Sequence, residues 1–503
     1  EEHSDGLAPG AAAAAAALAA AVTSGLVKAL AEALAECLAA SAQGGGFLAS
    51  PNAAVTCVSL AVALETCSAG SPLAAECLLV ENLAAPLIPH LVAGLGLVGD
   101  PAAAETATPG AGGGVPPPTA ALEPLLAVTT RVVQGPWVAV LDGNGSQKEK
   151  ANPCKRSKSM RDDFVELLIA SGCVDALASL FALCDRPKEQ GAEPIPPAIT
   201  AGLRLLESLL DARAPGTGDV TLRAASAKAT TTSSVLTNDL STQQLNDDSE
   251  SPAGSLLVAL RATALAGLPS LLTSVLLQTE NETRVPVLQD PRASLQCLPT
   301  NFVSVATVVM RLLNCVTKFG RAAVQTALSS SDLRVETHHL VSVVLSLCCA
   351  EWNQSSLDDA KWSKDSLSTL LNETLLFIGH FALTCSQNQD MLSWGRAPTL
   401  VQRLADLPFE YYADDAKKSV SFPTLIAVAF KHNTNTKVIA REMSLVVLKE
   451  FITVHLNAME SLGNDEGTEG TDEKKEEVLP VRFAFGTRFP KKLWGAAVAY
   501  FAE

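Results

Sequence analysis

Leu168-Ile169-Ala170-Ser171-Gly172, followed by Leu177 and Phe181 five and nine positions past the glycine, is the stretch that decides the fold. An apolar run stops on a residue that reaches the left-handed backbone region at least cost. The next two apolar residues are four apart, on one face of a new helix. The same arrangement surrounds Gly395, with Met391 and Leu392 before it and Leu400 and Leu404 after it. It recurs at Gly267 with Leu272 and Leu276, and at Asn82 with Leu78 and Leu79 before it and Leu87 and Leu91 after it. Neither helix of such a pair hides its apolar face alone, so the pairs must stack. The four turn residues lie 90, 95 and 128 positions apart, near two, two and three units of roughly 40–47 residues. The pattern predicts an all-α chain, an armadillo/HEAT-like helical repeat array with long disordered or loop insertions. An irregular helical bundle is the competing reading.

Composition points the same way. Hydrophobic residues make up 48%, mostly Ala, Leu and Val, and aromatics 5%, a balance that favours helices over strands. The best strand candidate is Val481-Arg482-Phe483-Ala484-Phe485. Polar stretches divide the chain into Ala-rich helical repeats over 1–98, a Pro/Gly/Ala linker over 99–120, and armadillo-like helices over 121–210. A polar insertion over 211–252 follows, then helices over 253–460, an acidic insertion over 461–480 and a capping helix within 481–503. From Ser461 to Val478 seven acids stand against Lys474 and Lys475, and Leu462 and Val478 are the only large apolar residues, so there is little to bury. The chain opens on Glu1 without Met, as a piece of a larger protein would. No run reaches the roughly 20 apolar residues of a transmembrane helix, so no membrane insertion is expected.

The net charge of -16 makes contact with nucleic acid depend on a local basic patch. The C-terminal end offers one. Gly395 to Glu460 together with Val481 to Lys492 hold 12 Lys or Arg against 7 Asp or Glu, hence +5, which leaves -21 for the rest. Lys417, Lys418, Lys431, Lys437 and Arg441 are the candidate RNA-contact residues within it. A second basic run, Lys148 to Lys158, precedes a helix expected to begin near Asp162, and reads as a phosphate contact or a solvated linker.

The chain carries no phosphate loop, dinucleotide glycine motif or nucleophile elbow. No catalytic residue, cofactor or small-molecule substrate is therefore expected. His338-His339 and Cys348-Cys349 are adjacent pairs, not the spaced pairs that structural zinc uses, so no metal site is expected either. Twelve scattered cysteines without a CxxC read as small buried hydrophobes in a reducing compartment.

From about Asn372 onward an ordered set of motifs appears: Asn388-Gln389, Gly395, Pro398, Leu407-Pro408-Phe409-Glu410-Tyr411-Tyr412, Asp414, Pro423-Thr424-Leu425-Ile426-Ala427, Asn435, Glu442-Met443-Ser444, Arg488-Phe489-Pro490, Trp494, Tyr500 and Phe501. Leu-Pro-Phe stops a helix before an aromatic pair, so Phe409, Tyr411 and Tyr412 are expected to cap the core or to meet a partner. Trp494, with Val498 and Phe501, is expected to face inward on a last helix that closes the array.

This order of motifs resembles the C-terminal domain of the family of S-phase cyclin A-associated proteins residing in the endoplasmic reticulum. The resemblance implies a cytoplasmic adaptor at the cytosolic face of the endoplasmic reticulum, linked to cyclin A and cilia. It also implies docking on the translating ribosome, through ribosomal RNA, beside a tetratricopeptide-repeat reader of nascent tubulin. A deadenylase complex, recruited through parts that precede this chain, would then remove the tail of tubulin mRNA. The Ala-rich start and the acidic insertion depart from that family's pattern. The alternative is an armadillo-type peptide- or cargo-binding module in cell-cycle or ciliary processes, which predicts a groove lined by Asn, Trp or acidic residues.

Overall fold

The computed structural model describes residues 25–43, 51–70, 72–99, 117–134, 155–181, 194–213, 265–283, 297–330, 333–352, 361–395, 397–462 and 481–502. They are helices, turns and short bends, with no strand among the described residues. The expected insertions at 99–120, 211–252 and 461–480 fall largely outside them. The chain forms two compact units, residues 1–186 with 196–267, and residues 187–195 with 268–503.

The first unit is built from α1 (Leu26–Gln43), α2 (Pro51–Gly70), α3 (Pro72–Val80), α4 (Ile88–Gly99), α5 (Pro117–Gln134), α6 (Lys155–Ala170), α7 (Cys173–Phe181) and α8 (Pro197–Arg213). α2 packs on α1 and α5, α5 on α4 and α8, and α4 on α7. Two of the expected turns lie here. Asn82 has φ +55° and Gly172 φ +78°, and Leu87, Leu91, Leu177 and Phe181 are all buried. The helix expected near Asp162 begins seven residues earlier, at Lys155, because 155–161 holds no Gly or Pro to stop it.

Gly267 departs from expectation. It lies inside α9 (Leu265–Thr283) and ends no helix, although Leu272 and Leu276 are buried as the pattern requires. Two leucines four apart mark the face of any amphipathic helix. The spacing therefore cannot tell a glycine in a first turn from one that closes the preceding helix.

In the second unit the stacking is explicit. α10 (Phe302–Leu328), α12 (Lys364–Ala382), α16 (Asp415–Ala429) and α18 (Leu445–Leu462) pack in succession as one layer. α11 (Leu333–Trp352), α14 (Leu400–Ala405) and α17 (Asn433–Glu442) pack in succession as another. Short helices α13 (Ser386–Met391) and α15 (Glu410–Ala413) connect the layers, and α19 (Phe485–Arg488) and α20 (Trp494–Tyr500) follow α18. Val481–Phe483, the best strand candidate, is a 3-10 turn. Over Leu333–Ala350, α11 has the length and hydropathy of a membrane span, but 56% of that window is buried in the unit, where it packs on α12.

One repeat shows in the backbone. Thr384 (φ +56°) follows α12 and Lys431 (φ +60°) follows α16, 47 positions on. Asn388 then donates to the carbonyl of Phe381, and Asn435 to that of Val428, the same seven-residue reach in each unit. Buried glutamines link successive units. Gln325 donates to the carbonyls of His380, Phe381 and Leu383 at the end of α12, and Gln389 to those of Ala427 and Phe430 at the end of α16. These carbonyls have no partner within their own helices, so each helix end is capped by the preceding unit.

Gly395 has φ +88°, as its place in the pattern requires, with Leu400 and Leu404 buried beyond it. Gly395→Val is expected to cost about 1–2 kcal/mol because a β-branched residue is strained in this region. Urea unfolding followed by circular dichroism would measure it, and an unchanged midpoint would contradict the assignment of the turn.

Candidate interaction surface

The five candidate RNA-contact residues do not form one patch. Lys417 and Lys418 sit in the first turn of α16 and Lys431 just past its end, about 20 Å away at 1.5 Å per residue. Lys417 is half-buried, its Nζ 4.4 Å above the Trp352 ring and 5.3 Å above that of Tyr411. Burial lowers its pKa. Lys418 Nζ is 2.7 Å from Asp415 Oδ1. Lys431, Lys437 and Arg441 are exposed, and the last two are four apart on one face of α17.

Other members of the +5 end turn inward, which a charge count could not foresee. Arg488 is 3% exposed. Its Nη1 donates to the carbonyls of Ser419 (3.0 Å) and Val420 (2.6 Å), and its Nη2 to Thr424 Oγ1 (2.5 Å). Pro423 explains this arrangement. It stands inside α16 without an N–H, so the carbonyl of Ser419, four residues earlier, loses its helical donor, and Arg488 supplies one. Gly379 lies beside this cluster, and a Cβ there would meet Thr424 Oγ1 at 3.4 Å and Arg488 Nη2 at 3.5 Å, ordinary contact distances. Burial pulls the pKa of Arg488 down to about 9, which still leaves it cationic at neutral pH.

Arg482 also turns inward, its Nη2 2.5 Å from Glu373 Oε1. Glu373 is fully buried in α12 and also accepts from Arg311 Nε (3.3 Å) and Asn314 Nδ2 (3.0 Å). Two arginines from beyond the acidic insertion thus fasten residues 481–488 onto α12 and α16. A proline inside a helical pattern, with an arginine elsewhere to serve the carbonyl it strands, was the signal in the sequence for this contact.

Three of the four aromatic candidates are packing residues. Tyr411 is fully buried and donates to Asn372 Oδ1 at 2.8 Å. Tyr412 donates to the carbonyl of Leu404 at 2.6 Å. Trp494 is buried, stacks on Phe485 at 4.7 Å between centroids, and donates to the carbonyl of Phe489. Phe409 is the exception: it is 78% exposed and caps nothing. The residues on either side of it already supply the buried anchors, Leu407 and Tyr411, and the backbone bonds from Tyr412 and Ala413 to its carbonyl fix it at the surface between them.

His338 and Cys348 lie ten residues apart on α11, about 15 Å along the helix, so the His and Cys pairs do not converge. Among the described residues no group of three or more His, Cys, Asp or Glu is placed to hold a metal. Among the described residues no disulfide joins the cysteines, and burial raises the pKa of Cys348 well above the ordinary thiol value.

The chain is 27% identical over 258 residues to the human S phase cyclin A-associated protein in the endoplasmic reticulum. This is the family that the C-terminal motifs resemble. The match covers 51% of this chain and 17% of the human protein, so it bears on a small part of that relative. No family model matches the chain. The name of the relative ties that protein to cyclin A and to the endoplasmic reticulum. In this structure Arg488, Asn388, Gln389, Asn435, Tyr411 and Trp494, all motif residues, make contacts that hold the second unit together.

Proposed function

We propose that the chain is a non-enzymatic adaptor domain that docks on the translating ribosome through Lys431, Lys437 and Arg441. The observation that carries this reading is their exposure, in a unit whose Arg482 and Arg488 are engaged inside the fold. Long cationic side chains exposed on α17 and the turn before it suit the phosphates of ribosomal RNA, although Lys431 Nζ also lies 5.4 Å from the centre of the Phe430 ring. The similarity to the cyclin A-associated protein supports the cyclin A and endoplasmic reticulum part of the reading, and the resemblance of the C-terminal motifs suggests the rest. In it, a tetratricopeptide-repeat reader of nascent tubulin binds beside the domain, a deadenylase complex is brought in by other parts of the protein, and tubulin mRNA decays. Cyclin A association and a place at the cytosolic face of the endoplasmic reticulum belong to the same reading.

The test is sedimentation with ribosomes. The triple variant Lys431→Glu, Lys437→Glu and Arg441→Glu is expected to lose co-sedimentation while keeping its circular dichroism spectrum. Removing three phosphate contacts should also flatten the log-log salt dependence by about 0.7–0.9 per contact. Undiminished sedimentation of the folded variant would overturn the reading. Lys417→Glu is a poor substitute, because it also removes the cation held over Trp352 and Tyr411.

A further inference from the structure

The face formed by α12, α16 and α18 is covered by residues 481–501, and the contacts that hold this segment are mostly made by side chains. Arg482 meets Glu373 of α12, and Arg488 meets the carbonyls that Pro423 opens in α16. Phe485 packs edge-on against Phe451 of α18 (5.3 Å) and Phe489 against Phe430 at the end of α16 (5.4 Å). Trp494 lies 6.2 Å from the His455 ring of α18. The segment thus lies across three helices of one layer, touching α12 first and then α18 and α16, as a ligand lies across the face of a repeat array. In sequence it is separated from α18 by the acidic stretch 463–480.

Each recognition point has its own chemistry. The carboxylate of Glu373 is fully buried; Asn314 donates to its Oε2, and its Oε1 is shared by the guanidinium groups of Arg311 and Arg482. The second arginine must reach three oxygens at once, which a forked guanidinium does and a lysine ammonium does not. The shelf of Phe430, Phe451 and His455 takes aromatic rings. We propose that this face is a peptide-binding surface for an Arg-x5-Arg-Phe segment folded in short helical turns, and that residues 481–501 are its resident ligand. A covalent tether supplies that ligand at an effective concentration of about millimolar, so a partner peptide of the same pattern gains the face when the resident contacts weaken. The proposal is independent of the ribosome reading, whose residues lie on α17 and the turn before it.

The probe is a fluorescein-labelled peptide of residues 479–503, titrated by anisotropy into the full chain carrying Arg488→Met. Wild-type chain, whose face is occupied, is the comparison. The peptide is expected to bind the variant at least tenfold more tightly than the wild type and to raise its Tm. The same peptide with Arg482→Glu and Arg488→Glu should bind neither. Should Arg488→Met fail to fold, Arg482→Ala serves instead, since that arginine is partly exposed. Absence of binding to a variant that circular dichroism shows to be folded would overturn the proposal. So would equal binding of the charge-reversed peptide.

Discussion

Arg488→Met is expected to cost the chain about 2–4 kcal/mol, because the carbonyl of Ser419 loses the donor that replaces the missing N–H of Pro423. Two effects oppose each other here. Removing a buried cation that donates to the uncharged oxygens of Ser419, Val420 and Thr424 relieves a desolvation penalty. Against this stand the stranded carbonyl, the lost hydrogen bonds and the lost packing of the arginine stem, and together they are larger. Arg488→Lys should recover only part of the loss, since one ammonium cannot span Ser419, Val420 and Thr424. The decisive measurement is a double-mutant cycle. Pro423→Ala returns an N–H to the Ser419 carbonyl, so the arginine matters less in that background, and a coupling of at least about 1 kcal/mol is expected. Additive effects in urea unfolding would refute the link between the proline and the arginine.

Glu373→Gln should be nearly as damaging. The amide keeps the shape and removes the charge that Arg311 and Arg482 share. Breaking a fully buried ion pair costs about 3–5 kcal/mol, but these guanidinium side chains are 27% and 30% exposed, and water offsets part of the loss. About 2–3 kcal/mol is expected. A melting temperature unchanged from wild type would show that Asn314 and the arginines hold this junction without the charge.

The all-α class was legible because helix ends are local: Asn82, Gly172 and Gly395 announce turns through residue type, and their partners are buried as spaced. Gly267 misled because the same spacing fits a first turn. The 47-residue period falls within the expected range of roughly 40–47, but the positions that mark it were not legible. Its left-handed positions are Thr384 and Lys431, neither of them a glycine or asparagine, so the backbone repeats where the residue types do not. The candidate surface was read from charge alone, which gives the sign of an end and not the direction of its side chains. Of that basic end, Lys431, Lys437 and Arg441 face solvent while Arg482 and Arg488 face the core. Phe409 does not cap the core, since an aromatic in a packing motif can be the one its neighbours displace, and it stays exposed, as meeting a partner requires.

Buried amides tie neighbouring repeats of the second unit together. Gln325 closes the end of α12 and Gln389 the end of α16, each reaching forward along the chain, so a later helix leans on an earlier one. Asn435 reaches back to the carbonyl of Gln389, so in a nearest-neighbour description of stacked repeats neighbouring units support each other from both sides. Fraying that starts at α10 exposes the carbonyls of α12, and fraying of α12 and α13 exposes those of α16, so loss of order is handed down the chain. Fraying from the far end must instead first undo Arg488 and Arg482. The second unit is thus closed at its C-terminal end by a clasp, and pulling or proteolysis from its two ends should meet different resistance.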